Sequence, residues 1–249
     1  MAKMMLTLCQ FAPFWQQPEK SCELLSQQLS KVSSSDLFIL PEMFATGFSM
    51  QPEQFVDAYD VEPYLQELAD QRQQNIIAGV AERSRNSFVN NALVINRDGK
   101  VLARYTKQRC FSHAGEDKVY QAGNQLKIVE IAGVKIALFI CYDLRFPELF
   151  REVAQQVEMM VVIANWPQSR QAHWQTLLTA RAIENQCFVV GVNRTGTDGN
   201  GLQYVGGSMV VNPNGEILLQ MNDELFAEVE IDSDLVIQQR RKFAFLQDA

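Results

Sequence analysis

Cys141, Lys107 and Glu42 combine residue types and settings that allow covalent acyl chemistry. Cys141 closes the apolar run Val134-Lys135-Ile136-Ala137-Leu138-Phe139-Ile140 and opens the polar turn Tyr142-Asp143-Leu144-Arg145-Phe146, after which Pro147 stands where a helix would begin. A thiol attacks an acyl carbon as the thiolate, so it needs a base. A buried carboxylate can take that proton, and a nearby ammonium stabilises the negative charge that develops. Glu42 and Lys107 are of these two types, and each, like Cys141, ends a strand-like segment. A strand-turn-helix corner also aims backbone N–H groups at whatever the sulfur attacks, which is what an oxyanion requires. Taken singly, the three have plain structural readings: a core cysteine, a solvated lysine at a hairpin end, an acid in a first helical turn. Their coincidence at strand ends favours a site.

The elements that must position these groups are readable from periodicity. A short apolar run rich in branched and aromatic residues is a strand buried on both faces. Proline suits the first helical position because its missing N–H would have no partner there. Cys141 is therefore predicted at the carboxyl end of a buried strand, the edge of an open α/β sheet where ligands bind. A buried strand stopped by proline recurs at 36–40 before Pro41-Glu42, and at 159–164 before Asn165-Trp166-Pro167. Further strands are predicted over 4–12, 75–81, 88–96, 100–106, 187–192, 208–212, 216–220 and 225–231, with helices over 18–35, 61–74, 147–156, 171–186 and 233–240. Asn96-Arg97-Asp98-Gly99 and Asn214-Gly215 are hairpin signals. The two halves share a strand–helix–strand–Pro order and an Asx-Gly hairpin, an approximate internal two-fold symmetry, and no Pro/Gly/Ser-rich linker separates them. The expected architecture is of the α/β class, a single domain over 1–249. It consists of two mixed sheets packed together with helices outside, an α-β-β-α sandwich.

Composition removes several function classes. A chain of 249 residues with 47% apolar and 20% charged residues is that of an ordinary globular protein. Its net charge of −7 argues against nucleic acid and against anionic membrane surfaces as partners. Residues 4–12 are too short and interrupted for a signal segment or a span. Cysteines 9, 22, 110, 141 and 187 are scattered and odd in number, which points to a reducing compartment and a cytoplasmic location. No G-x-S-x-G, P-loop or dinucleotide glycine pattern occurs. A Cys-His dyad would have to recruit His113 or His173, and Cys110 with His113 supplies two ligands where a structural zinc site wants four.

Three blocks, Phe38-Ile39-Leu40-Pro41-Glu42-Met43-Phe44, Tyr105-Thr106-Lys107 and Ile140-Cys141-Tyr142-Asp143-Leu144-Arg145-Phe146-Pro147-Glu148, resemble the signature blocks of the nitrilase superfamily of carbon–nitrogen hydrolases. The resemblance spans nearly the whole chain, including Arg181-Ala182-Ile183-Glu184-Asn185, and is strongest to the ω-amidase branch. It implies an α-β-β-α sandwich, a Glu-Lys-Cys triad, a homodimer, and hydrolysis of the terminal amide of a small molecule such as 2-oxoglutaramate or succinamate, without cofactor. Carried over, Cys141 is the nucleophile, Glu42 the general base, and Lys107 the oxyanion stabiliser and proton relay. Glu116, seven residues before Gly123, resembles a second glutamate that positions Lys107 or the substrate, against a plain reading as a solvated loop acid beside Asp117 and Lys118. Tyr142 offers its backbone N–H to the oxyanion. Arg145 either meets a substrate carboxylate or pairs internally with Asp143 or Glu148; Arg109, Lys118 and Arg170 are the other candidate cations. Trp166 and Phe44 either line the pocket or fill the core. Neighbouring branches, acting on N-carbamoyl compounds or nitriles, and a non-catalytic protein on the same fold are the alternatives.

Overall fold

The computed structural model describes residues 3–30 and 32–248. In chain order its strands are β1 (Lys3–Cys9), β2 (Leu37–Ile39), β3 (Asn75–Ser84), β4 (Ser87–Ile95), β5 (Val101–Thr106), β6 (Ile128–Ile131), β7 (Val134–Ile140), β8 (Met159–Ala164), β9 (Phe188–Asn193), β10 (Thr195–Thr197), β11 (Gln203–Val205), β12 (Met209–Val211), β13 (Ile217–Gln220) and β14 (Phe226–Asp232). The helices are α1 (Pro18–Leu29), α2 (Val61–Arg72), α3 (Pro147–Val153), α4 (Gln171–Asn185) and α5 (Asp234–Lys242). No helix among the described residues is long and apolar enough to cross a membrane.

Two six-stranded sheets are ordered β14-β1-β2-β3-β4-β5 and β13-β12-β9-β8-β7-β6. In each, three adjacent strands run parallel, β1-β2-β3 and β7-β8-β9, flanked by antiparallel neighbours. Period-two alternation fixes which side chains meet. On β7, Ile136, Leu138 and Ile140 enter the core between the sheets, where they join Leu6, Leu8, Ile39 and Ile77. Ala137 and Phe139 point the other way, under α3 and α4, and Phe139 stacks on Phe150 at 3.8 Å. On the far side, Phe38, Leu40 and Ile76 pack with Leu25, Leu29 and Leu65 of α1 and α2. Three apolar clusters thus hold four layers, the sandwich expected from the sequence.

Three strands go beyond that expectation. Strand β6 extends the second sheet beside β7, and β10 and β11 form a separate small hairpin. The predicted first helix stops early, at Leu29. Asn96 closes the β4–β5 turn as its composition requires: its side-chain oxygen accepts from the N–H groups of Asp98 and Lys100, and Gly99 takes a φ of 72°.

Candidate active site

The carboxyl ends of the parallel strands converge on a cavity of about 610 Å³ whose lining includes Cys141, Tyr142, Arg145, Asn165 and Trp166. Cys141 follows β7 and opens a 3-10 turn over Cys141–Arg145. Its φ of 45° lies in the left-handed region, a conformation that costs a non-glycine residue roughly 1–2 kcal/mol. Asp143 holds the corner in place. One of its fully buried carboxylate oxygens accepts from the Ile140 N–H (2.9 Å) and the Tyr105 hydroxyl (2.8 Å), and the other from the Arg109 N–H (2.9 Å). The Cys141 corner, β5 and the loop beyond Lys107 are thereby stapled to one group. Burial pushes the Asp143 carboxyl up to about 6, against the lowering effect of the Ile140 N–H and the Tyr105 hydroxyl. The Tyr142 N–H belongs to the first turn of this 3-10 segment, where N–H groups lack an intrahelical acceptor.

Beneath the cavity floor lies a buried charge cluster. The Lys107 ammonium donates to Glu42 Oε1 (2.8 Å) and to both oxygens of Glu116 (3.0 and 2.9 Å). All three side chains are at most 1% exposed. The Asn90 amide bridges the two acids, donating to Glu42 Oε1 at 2.7 Å and to Glu116 Oε1 at 2.9 Å. Glu42 Oε2 accepts from the Asn165 N–H at 2.8 Å, and Glu116 Oε2 from the Phe111 N–H at 2.6 Å. Two carboxylates surround one ammonium, and their remaining lone pairs are met by amides, the condition under which buried ions are tolerated.

The protonation states follow from these contacts. Burial alone would raise the Glu42 carboxyl, but the Lys107 charge and the hydrogen bonds from Lys107, Asn90 and Asn165 hold it below its ordinary value. Burial would lower the Lys107 ammonium; Glu116 and then Glu42 outweigh it and lift the group well above its ordinary value. Burial, and next the Glu42 charge, push the Cys141 thiol well up, with Lys107 opposing. The resting site therefore holds a thiol, a carboxylate and an ammonium. Such a thiol needs a base at the moment of attack, and Glu42 is ionised and ready to act as one.

The structure brings together the four residues proposed for chemistry and sorts the others. Glu116 is buried on Lys107, not solvated, and position 123 needs a glycine: a Cβ there would lie 2.4 Å from the Thr106 carbonyl oxygen, while the Gly123 N–H donates to the Lys107 carbonyl at 2.8 Å. Arg145 forms no internal ion pair with Asp143 or Glu148. Asp143 is saturated by Tyr105 and backbone donors, and Glu148 lies 3.6 Å from Arg109. Arg170 joins Arg145 on the wall, whereas Arg109 and Lys118 line no part of it. Trp166 does line the cavity, anchored by donation of its N–H to Asn193 Oδ1 (2.7 Å) and of its indole N–H to the Arg170 carbonyl (2.8 Å).

Phe44 does not line it. The turn after β2 directs this ring into the cluster under α1 and α2, fully buried, so its wall role is withdrawn. Cys110 is half-buried with its thiol pushed up to about 11 by burial, near the Tyr120 carbonyl, while His113 sits on the cavity rim. Asn90, Asn165 and the staple role of Asp143 were missed. The signal for Asn90 was present: Asn90-Asn91 interrupts an otherwise apolar strand, and a buried amide needs partners.

Known proteins share this arrangement's scaffold. The family model for carbon–nitrogen hydrolases matches residues 4–241. The omega-amidase YafV of Escherichia coli K12 is 37% identical over 247 residues, 98% of this chain and 96% of its own. The 2-oxoglutaramate amidase of Bacillus subtilis is 32% identical over 86% of this chain and 83% of its own. A solved CN-hydrolase superfamily protein from Xanthomonas campestris, with an arsenic adduct in its active site, superposes with a TM-score of 0.93 at 30% identity, covering 100% of this chain and 98% of that one.

Proposed function

Because the chain belongs to the carbon–nitrogen hydrolase family, we propose that it is an ω-amidase. It hydrolyses the terminal amide of short linear dicarboxylic acid monoamides, 2-oxoglutaramate and succinamate among them, to the acid and ammonia. The names of its relatives support the amidase reading. One observation carries the substrate class: Arg145 lines the cavity that holds Cys141, and no carboxylate of the described residues lies within ion-pair distance of it. A cation left uncompensated beside a nucleophile suits an amide substrate that ends in a carboxylate. In a chain of net charge −7 such selectivity must be local.

In the mechanism this reading implies, Glu42 takes the Cys141 proton and the sulfur attacks the amide carbon. Neutralising Glu42 weakens its hold on Lys107, whose proton on that side turns toward the new oxyanion, joined by the Tyr142 N–H. Glu42 passes its proton to the nitrogen, the C–N bond breaks, and ammonia leaves a thioester on Cys141. Water, deprotonated by Glu42, attacks the thioester, and the carboxylic acid and the thiol are released. Glu116 and Asn90 keep Lys107 and Glu42 in register throughout.

The test compares kcat/KM for succinamate, 2-oxoglutaramate, butyramide and a matched nitrile at equal concentration. The two carboxylate-bearing amides should lead, since only they give the half-buried Arg145 guanidinium a charged partner in the cavity. Equal values for butyramide and succinamate would refute the carboxylate pocket, and a preferred nitrile would move the chain to another branch.

A further inference from the structure

We propose that His173 is a positioning residue for the substrate carboxylate, holding the Arg145 guanidinium against Trp166 so that its charge faces the cavity. The proposal rests on the reading of Arg145 as the carboxylate's partner. Arg145 Nη2 lies 3.1 Å from His173 Nδ1, and its guanidinium carbon lies 4.9 Å from the centre of the Trp166 ring. A guanidinium has donors only, so the imidazole nitrogen facing it accepts. In that contact Nδ1 offers its lone pair and the ring N–H is at Nε2.

Neither group that orients Arg145 is a carboxylate: one is an indole and the other an imidazole. A π face below and a lone pair at the side fix the direction of a long, rotamer-rich side chain without neutralising it. Arg109 shows the contrast: its guanidinium lies over Phe146 but is also drawn toward Glu148 at 3.6 Å, and it lines no part of the cavity. The platform is itself rigid, because Trp166 is tied at its backbone N–H and its indole N–H. His173 lies in the first turn of α4 with its side chain exposed, so its replacement leaves the packed core untouched. The arrangement does for the carboxylate what the buried acids do for Lys107, with opposite electrostatics: orientation is provided and charge is retained.

The experiment measures steady-state kinetics of wild type, His173→Ala and His173→Asn on succinamate and butyramide, with thermal melting as a check on folding. Wild type prefers succinamate. In His173→Ala the succinamate-to-butyramide ratio of kcat/KM falls roughly five-fold, the value of one lost orienting hydrogen bond, through KM and not kcat. Asparagine places an amide oxygen near the position of Nδ1, so His173→Asn recovers most of the ratio. An unchanged ratio in His173→Ala, with wild type still preferring succinamate, overturns the role of His173 and leaves the carboxylate pocket standing. A wild type without preference overturns both. An equal loss on both substrates, or one that asparagine does not recover, marks His173 as merely structural and overturns the proposal.

Discussion

After β2 in the first sheet the chain places Glu42; at the matching point in the second, after β8, it places Asn165. The correspondence runs through both sheets. From β14 to β5 the pairings are antiparallel, parallel, parallel, antiparallel and antiparallel, and from β6 through β7, β8, β9 and β12 to β13 they are the same. Lys107 after β5 thus matches Met221 after β13, and Cys141 after β7 matches Gln10 after β1. Even single backbone bonds recur: the Lys107 N–H donates to the Asn90 carbonyl at 2.9 Å, and the Met221 N–H to the Ser208 carbonyl at 2.8 Å. The two halves meet where Asn165 donates to Glu42 Oε2 from its N–H and to the Glu42 carbonyl from its amide.

What differs is charge. Around Gln10, Ser208 and Asn193 the polar groups are neutral and bind mostly backbone: Gln10 accepts from the Ser208 N–H and donates to the carbonyls of Asn222 and Glu224, and Asn193 donates to those of Trp166 and Gly206. Such amides hold loops and exchange no protons. Around Glu42, Lys107 and Glu116 the groups bind one another and carry charge that can move. One strand plan delivers polar side chains to the same edge twice, and the residue types decide which delivery supports chemistry and which supports the chain.

Making the charged cluster more like the neutral one should have the largest effect. Glu42→Gln keeps the shape and removes the base, and kcat should fall about 10³-fold with the circular dichroism spectrum unchanged. A fall of less than tenfold would make Glu42 a structural acid. Lys107→Arg keeps the charge but not the compact, exchangeable ammonium. It should lose more than tenfold in kcat, and a variant losing less than ~1.4 kcal/mol of transition-state stabilisation would show Lys107 to be a peripheral charge.

The neutral side should respond in stability alone. Gln10→Ala leaves the buried Ser208 N–H without its acceptor and should cost about 1–3 kcal/mol in urea denaturation, with kcat at the wild-type value. A kcat defect there would erase the distinction between the clusters.

The smallest effect belongs to Asp143. Its folded value of about 6 stands above that of an unfolded aspartate, so the stability it contributes is fully present below about pH 4 and is lost as pH rises through 6. Relative to Asp143→Asn, wild type should gain roughly 1 kcal/mol between pH 7 and pH 5. A pH-independent difference would mean the carboxyl is not titrating in that range.

The sheets were legible because buried parallel strands are continuous apolar runs and three of them end at proline or at the cysteine corner. Strand β6 is interrupted by Glu130, and β10 and β11 (Thr195-Gly196-Thr197 and Gln203-Tyr204-Val205) are largely polar, so none shows the apolar run that made the equally short β2 and β12 readable. The convergence of Glu42, Lys107 and Cys141 was legible from residue type at strand ends. The burial of Glu116 was not, since its loop is polar and its acid is drawn inward by the Phe111 N–H and Lys107, contacts that only the tertiary fold creates. Phe44 misled for the opposite reason. It lies two residues from Glu42, but the turn between them, with Met43 at a φ of 45°, sends the two side chains to different layers.

In the proposed mechanism a protonated Cys141, activated in place by Glu42, carries the acyl group. Acid-quenching the enzyme during turnover of succinamate and mapping its peptides by mass spectrometry tests this directly. A succinyl adduct is expected on the peptide bearing Cys141, discharged by hydroxylamine, with neither adduct nor ammonia release in a folded Cys141→Ala variant. An adduct on Cys110, or ammonia released by Cys141→Ala at the wild-type rate, would contradict it.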